Sequence, residues 1–187
     1  MENNKERMIE LVSRAKQQDS HAFAELYEMV YQDLYRMALY TLGNPQDAEN
    51  VVSDTVLDAY CSIGKLREAA AFKGWIFKIL SNKCNRLLRE YVQRRDHEQS
   101  LDDMEAGLPT MGNVMKGVED KTLISQAFRV LSEEEKMIVT MTVYGDMDSG
   151  EIAENLKLNR NTVRSKYSRA LAKMRSCLGA GGDEIGK

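Results

Sequence analysis

The stretch "DSGEIAENLKLNRNTVRSKYSRALAKMR", from Asp148 to Arg175, decides the fold of the C-terminal third of the chain. Asp148 with a glutamate three residues later is a capping-box pattern that starts a helix. Ala153 is small where a second helix must cross closely, a turn follows at Lys157, and the β-branched Val163 comes six residues after that turn. This spacing is typical of a helix-turn-helix. The turn position favours positive φ, which Lys157 can adopt at a cost of about 1 kcal/mol.

The second helix of this motif is basic on one side. From Leu158 to Arg175 the chain has six basic residues and no acidic residue. Arg164 and Asn161 are of the types that read guanine and adenine edges in the major groove, and the flanking cations suit phosphates. The residues that we expect to contact duplex DNA are Arg160, Asn161, Thr162, Arg164, Ser165, Lys166, Ser168, Arg169 and Lys173. The alternative is an amphipathic bundle helix with a solvated basic face.

Composition limits the remaining possibilities. The 187 residues carry a net charge of -3, and a hydrophobic content of 43% argues against global disorder. With only two prolines and many helix formers, the chain is predicted to be all-α. No apolar run approaches the roughly 20 residues that span a bilayer, and the polar N-terminus lacks a signal-peptide core, so we expect a cytosolic protein.

The sequence gives no indication of an enzyme. The three cysteines and two histidines are scattered along the chain, which disfavours a disulfide framework or a metal site. No nucleophile triad, paired carboxylates or phosphate-binding loop is recognisable. We therefore expect no catalytic residues, no metal and no cofactor.

Periodicity and charge divide the chain into two helical domains. Apolar residues at helical spacing predict two helices between Met8 and Leu42, a third from Pro45 to Gly64 and a fourth from Phe72 to about Tyr91. Residues 96–120 then contain seven acidic residues against one lysine, with three glycines and a proline. We interpret them as a flexible acidic linker between domains 1–95 and 121–178, followed by a flexible tail, 179–187. The linker is either an ordinary connector or a polyanion mimic that occupies a basic channel.

Three stretches together resemble the extracytoplasmic-function group of bacterial RNA polymerase sigma factors. They are "NPQDAENVVSDTVLDAY" (residues 44–60), "FKGWIFKILSNKCNRLLRE" (residues 72–90) and the segment from Leu131 to Arg175. They are similar, in order, to the family's polymerase-binding helix, its promoter-melting helix and its C-terminal domain. The resemblance implies a dissociable polymerase subunit that reads promoters and helps to open them, while the polymerase performs the chemistry.

The resemblance also implies roles for individual residues. The third helix would bind the polymerase clamp, while the C-terminal domain would read the −35 element and meet the flap. The polymerase-binding residues would be Asp47, Glu49, Val51, Asp54 and Asp58. Unpaired bases of the −10 element would be captured by Lys65, Arg67, Phe72, Lys73, Trp75, Lys78, Asn82, Lys83 and Arg86. Cations and an amide suit such strand capture, whereas for Trp75 we favour a position in the core over stacking on a base.

The partners implied by the resemblance are core RNA polymerase, promoter DNA and an anti-sigma factor, which could hold the cytoplasmic protein at the membrane. Two other functions are compatible with parts of the sequence. A stand-alone repressor or activator would use the helix-turn-helix but would give no role to residues 72–95. A helical adaptor would bind only protein, and its activity would be insensitive to salt.

Overall fold

The structure is a computed structural model that describes residues 2–99 and 123–180, and within those ranges the chain is helical with no strand. The all-α prediction is therefore confirmed. The α-helices are α1 (Glu2–Ala15), α2 (Ser20–Leu42), α3 (Pro45–Ser62), α4 (Phe72–Gln99), α5 (Leu123–Arg129), α6 (Glu133–Val143), α7 (Ser149–Leu156) and α8 (Arg160–Ala180). Two short 3-10 turns, Ile63–Lys65 and Ala69–Ala71, connect α3 to α4.

Polar caps fix the ends of the N-terminal helices where the sequence predicts them. Asp19 accepts a hydrogen bond from the Ala22 backbone N–H at 3.0 Å and starts α2. Gly43 ends that helix in the left-handed conformation, with φ 69°. Asn44 then caps α3 through the N–H groups that follow Pro45. The tight corner between α2 and α3 brings these helices together.

The N-terminal domain has a core built from α1 to α4. Leu26 and Leu34 of α2 are fully buried and share one cluster with Ile76, Phe77 and Leu80 of α4. These positions follow the helical spacing of the sequence, because one stripe of each helix must leave water.

Two helices are longer than the sequence predicts. α4 continues to Gln99, four residues into the predicted linker, and α8 continues to Ala180. A change in charge does not stop a helix, since Arg, Glu and Gln are all good helix formers and residues 92–99 contain no glycine or proline. The rest of the predicted linker, and its path, lie outside the described residues.

The two domains also pack against each other, which the sequence does not predict. Met137, Ile138 and Met141 of α6 are buried in the same apolar cluster as the core of α2 and α4. The rings of Tyr40 in α2 and Phe128 in α5 stack with centroids 4.4 Å apart. Shared burial of this kind joins the domains by the same apolar forces that hold each core together.

Gly145 lies between the end of α6 and the Phe77 ring of α4, with little room for a side chain. A Cβ atom added to Gly145 would lie 2.7 Å from the Met141 carbonyl oxygen and 3.2 Å from the Phe77 ring. We call the interface between α2/α4 and α6/α7 the interdomain seam; its central residues are Thr41, Phe77, Ser81, Met137, Gly145 and Asn155.

Candidate nucleic-acid interface

Helices α7 and α8 form the helix-turn-helix that the sequence predicts. Asp148 and Glu151 make a reciprocal capping box at the start of α7. Hydrogen bonds from the Glu151 and Gly150 N–H groups keep the pKa of the Asp148 carboxyl below its usual range. Lys157 ends α7 with φ 56° and ψ 42°, so the turn uses the left-handed conformation expected there without a glycine.

The turn is closed by two further hydrogen bonds. The Leu158 N–H donates to the Ala153 carbonyl at 2.9 Å, and the Asn161 N–H donates to the Asn159 side chain at 2.8 Å. Val163 is buried in the same cluster as Ala153. These contacts fix the angle at which α8 leaves α7.

One face of α8 is packed and the other is open to solvent. Val163 and Ala170 are buried, and Tyr167 and Met174 pack beside them. The predicted base- and phosphate-contacting residues on the open face are exposed: Arg160, Asn161, Arg164, Ser165, Ser168, Arg169 and Lys173. Small polar side chains interleaved with arginines permit close approach to a groove edge.

Four cations of α8 fall into two groups. Lys166 lies 2.5 Å from Glu134, and Lys173 lies 2.8 Å from Glu135, so both are tied to α6. In contrast, Arg164 and Arg169 form no ion pair with any residue in the described ranges. These two arginines are therefore unpaired on the open face of α8, whereas the two lysines also brace the domain.

The Glu135 carboxylate joins the cap of α6 to α8. It accepts from the Ser132 N–H at 2.9 Å and from Lys173, and its side chain is 8% exposed. Burial raises the pKa of Glu135, but the hydrogen bonds from Lys173 and Ser132 outweigh it, so the pKa lies below its usual range. The capping box predicted from "LSEEEK" is present.

The N-terminal candidate site is less open. Lys65, Arg67 and Asn82 are exposed, as strand capture requires. Lys83 is 15% exposed and lies 2.7 Å from Asp58 of α3, so it connects two helices. Arg86 remains 69% exposed beside Glu90 of its own helix.

Two lysines on α4 pair with acids of the other domain. The Lys73 ammonium lies 2.6 Å from Asp146 and 3.8 Å from Asp33. The Lys78 ammonium lies 3.3 Å from Glu154. The predicted strand-capturing surface and the helix-turn-helix are therefore in direct contact.

Burial corrects the sequence-based roles of two side chains. Phe72 has no exposed surface and Val51 is 7% exposed, and both belong to the core cluster. An exposed role at −10 DNA for Phe72, or at the polymerase for Val51, is incompatible with these positions, since each fills the stripe that packs its helix. Trp75 is half-buried, with its ring centroid 6.1 Å from that of Phe72.

The solvent face of α3 combines acids with apolar groups. Glu49, Asp54 and Asp58 are exposed, whereas Asp47 is half-buried and accepts a hydrogen bond from the Tyr91 hydroxyl. Leu57 is 63% exposed between these acids, and it is not among the contact residues that the sequence predicts. The sequence does indicate this exposure, because Leu57 is an apolar residue that lies outside the apolar stripe of α3.

Family models match both domains. The model for sigma-70 region 2 matches residues 26–95, and the model for sigma-70 region 4 matches residues 121–174. The chain is also similar to the RNA polymerase sigma factor SigV of Bacillus subtilis, with 30% identity over 147 residues that cover 77% of this chain and 83% of SigV. The chain belongs to the sigma-70 family of RNA polymerase sigma factors.

Further likenesses place this sigma factor in the extracytoplasmic-function group. It is 26% identical to the ECF RNA polymerase sigma factor SigM of Mycobacterium tuberculosis, over 86% of this chain and 79% of SigM. Its fold matches the sigma factor RpoE of Bartonella quintana, solved in complex with the anti-sigma factor NepR. That match has a TM-score of 0.65 and 21% identity, and covers 84% of this chain and 96% of RpoE.

As a sigma factor, the protein is a non-enzymatic transcription initiation factor. This function excludes the two alternatives, a stand-alone DNA-binding regulator and an adaptor that binds only protein. Region 2 contains α3 and α4, and region 4 contains α5 to α8. Among residues 2–99 and 123–180, no helix is long and apolar enough to cross a membrane. Within the same ranges, no three His, Cys, Asp or Glu side chains are grouped to hold a metal ion.

Proposed function

We propose that this sigma factor recruits core RNA polymerase to promoters by reading the −35 element as duplex with α8 and capturing unpaired −10 bases with α4 and the preceding loop. The observation that carries this proposal is the open face of α8. Arg164 and Arg169 lie there without acidic partners, beside Asn161 and Ser165. An arginine with free donors can make two hydrogen bonds to guanine, and flanking cations contact phosphates.

Strand capture by the N-terminal domain is supported by position and charge. Lys65 and Arg67 lie on the loop that leads into α4, and Asn82 lies on the exposed face of that helix. Cations that follow the backbone, together with an amide that reads a base edge, suit single-stranded DNA. Trp75 is half-buried, so only part of its ring is accessible to a base.

The polymerase would bind the exposed face of α3. Asp54 and Asp58 supply negative charge, and Leu57 between them supplies apolar area that is uncovered in the free chain. A basic element of the clamp would complement this surface. On the C-terminal domain, the exposed apolar side chains of Ile124 and Val143 are candidates for contact with the flap.

The regulator of this sigma factor would be an anti-sigma protein. RpoE of Bartonella quintana was solved with its anti-sigma factor NepR, and this chain shares its fold. We infer that the protein acts in the cytoplasm, where RNA polymerase and DNA are present, and that an anti-sigma factor could hold it at the membrane.

Run-off transcription of a genomic library with core polymerase tests the proposal directly. The complete reaction should yield transcripts from a small set of promoters that share −35 and −10 sequences, and core polymerase alone should not. Absence of promoter-specific transcripts, with tight binding of the chain alone to a palindromic duplex, would instead support a stand-alone regulator.

A further inference from the structure

The side chain of Arg160, the first residue of α8, is tied to the beginning of α7. Its Nε donates a hydrogen bond to the Ser149 hydroxyl over 3.0 Å, and Ser149 is the first residue of α7. Asn159 precedes Arg160 and accepts a hydrogen bond from the Asn161 N–H at 2.8 Å, which holds the first turn of α8. The backbone and the side chain of Arg160 are therefore both anchored within the helix-turn-helix.

The anchoring bond leaves most of the guanidinium available. The bond to Ser149 uses only the N–H on Nε, so the donors on Nη1 and Nη2 remain. Arg160 is exposed and forms no ion pair with any residue in the ranges 2–99 and 123–180. Because the Ser149 hydroxyl is uncharged, it orients the cation without neutralising it. In contrast, Glu134 and Glu135 neutralise the lysines that they hold.

The position of Arg160 is unfavourable for the stability of α8. The backbone N–H groups at the start of a helix carry partial positive charge, which repels a cation there. The first turn of α8 contains no acidic residue that would compensate. Asp148 lies nearby, and backbone hydrogen bonds and then the charges of Arg160 and Arg164 lower the pKa of its carboxyl. That carboxylate already caps α7, so Arg160 has no anionic partner of its own in the described part of the chain.

Arg160 also extends the open face of α8. Arg160 and Arg164 are four residues apart, which places them on the same side of the helix, and both are exposed. At a rise of about 1.5 Å per residue they are about 6 Å apart along the helix axis, or about two base pairs at about 3.4 Å each. In a helix-turn-helix, the N-terminal residues of the second helix contact base edges. Arg160 can therefore reach a base pair other than the one that Arg164 contacts.

The anchored geometry suits guanine. With Nε held by Ser149, the Nη1 and Nη2 groups of Arg160 remain for an end-on pair of hydrogen bonds to guanine O6 and N7. Because the bond to Ser149 restricts rotation of the guanidinium, less conformational entropy is lost when the base is bound. A phosphate contact would need only the positive charge, and Ser149 would then have little influence on it.

We propose that Arg160 is a specificity-determining residue that reads a guanine of the −35 element, about two base pairs from the base pair that Arg164 reads, and that Ser149 is the residue that positions it. This inference rests on the proposed function, because a guanine contact determines specificity only if α8 reads the −35 duplex. It adds a residue of α7, outside the recognition helix, to the determinants of promoter choice.

Binding of the holoenzyme to promoter duplexes with single −35 substitutions tests the role of Arg160. Arg160→Ala should lower the preference for guanine at one position about tenfold and leave the preference that depends on Arg164 unchanged. Arg175→Ala, an equal change of charge at an exposed position near the other end of α8, should leave all base preferences unchanged. An equal loss of affinity on every duplex from Arg160→Ala would indicate a phosphate contact and would overturn the inference. So would the absence of any loss.

Substitutions of Ser149 test its positioning role. Ser149→Ala removes the acceptor, changes no charge and leaves the capping box of Asp148 and Glu151 in place. It should lower the guanine preference at the Arg160 position about threefold, whereas Ser149→Thr, which keeps the hydroxyl, should retain the preference. Ser176→Ala, on the exposed surface of α8, is the matched control and should change no base preference.

A double variant, Ser149→Ala with Arg160→Ala, determines whether Ser149 acts through Arg160. We expect its base preferences to equal those of Arg160→Ala alone, because Ser149 has no guanidinium left to position. Losses of preference that multiply in the double variant would show that Ser149 acts independently and would overturn its positioning role.

Wild-type holoenzyme and Arg164→Ala separate failure of this inference from failure of the proposed function. The side chains of Arg160 and Ser149 lie outside the apolar core, so thermal unfolding of their variants should stay close to that of the wild type. If the wild-type holoenzyme prefers no −35 sequence, the proposed function is contradicted. If it has a preference that Arg164→Ala alters and Arg160→Ala does not, only the reading by Arg160 is contradicted.

Discussion

In α8 the guanidinium groups of Arg164 and Arg169 have no acidic partner in the described part of the chain, whereas in α4 the ammonium groups of Lys73, Lys78 and Lys83 each lie within 3.3 Å of a carboxylate. Both helices are basic in sequence and both are assigned to DNA. The comparison teaches that a basic helix is ready to bind only where the rest of the fold leaves its cations unpaired.

The origin of the acids makes the difference functional. α8 is braced by Glu134 and Glu135 of its own domain. Lys73 and Lys78 of α4 pair with Asp146 and Glu154 of the other domain, and Lys73 also lies 3.8 Å from Asp33 of α2 in its own domain. The pairing of the α4 lysines therefore depends largely on how the domains pack, whereas the pairing of the α8 lysines is set within one domain.

The largest expected effect is on sequence preference through α8. Arg164→Ala should remove about 1–3 kcal/mol of discrimination at one position of the −35 element, because its donors are free to read a base. Holoenzyme binding to duplexes with single −35 substitutions measures this. Lys166→Ala, which removes a cation already paired with Glu134, should leave the preference nearly unchanged. Equal losses of binding affinity on every duplex from both variants would contradict the distinction between unpaired and paired cations.

The next effect separates capture of the open strand from duplex reading. Asn82→Ala should reduce promoter opening about tenfold, or about 1.4 kcal/mol, since it removes an exposed amide from the strand-capturing face. Permanganate reactivity of unpaired thymines measures opening, while binding to an isolated −35 duplex should be unchanged. A pre-opened template should restore transcription. Loss of −35 binding in this variant would contradict the division of roles.

A smaller effect distinguishes bracing from binding cations within α8. Lys173→Ala should lower the free energy of unfolding by about 1 kcal/mol at pH 7, because the largely buried Glu135 carboxylate loses a donor. Since the folded-state pKa of Glu135 is lowered, the stabilisation is complete above its unfolded pKa of about 4.3 and is lost as pH falls through the folded value. Urea unfolding over a pH series should show the largest difference between variant and wild type at pH 7 and a smaller one as the pH falls below about 4.

The control for that prediction is Arg169→Ala, which removes an exposed and unpaired cation from the same helix. It should change the free energy of unfolding by less than about 0.5 kcal/mol while weakening binding to DNA. A stability loss equal to that of Lys173→Ala would show that the two groups of cations on α8 are not distinct.

The smallest expected effect concerns the turn that orients α8. Lys157→Gly should raise the free energy of unfolding by about 0.5 kcal/mol, since glycine adopts φ 56° without the strain of a Cβ atom. Ala172→Gly, on the exposed surface of α8, should instead lower it by about 1 kcal/mol. Thermal unfolding of both variants tests the sign, and destabilisation by Lys157→Gly would contradict the assigned role of that position.

Local chemistry explains how much could be predicted from the sequence. The caps at Asp19, Asn44, Ser132 and Asp148 form between residues at most three positions apart, so spacing alone specifies them. The buried stripe of α8 follows from helical periodicity in the same way. The family resemblance added the two sigma-70 regions, which the family models match.

Individual contact residues are harder to predict from the sequence than caps are, because the exposure of a side chain depends on the neighbours that the fold places around it. Phe72 adjoins the cations of α4 in sequence, but it is fully buried in the apolar core. Leu57 was overlooked although it is 63% exposed, since an apolar residue on a helix is usually assigned to the core.

The sequence by itself determined the helices, their caps, the helix-turn-helix and the basic character of α4 and α8, because these depend on residue type and on spacing within a few turns. Only the tertiary structure decided which cations are paired, since Lys78 and Glu154 are far apart in the chain and meet only when the domains pack. It also created the buried contact between Ser81 and Asn155. The charge of a side chain follows from its residue type, but whether that charge is free to bind a partner depends on the side chains that the fold places beside it.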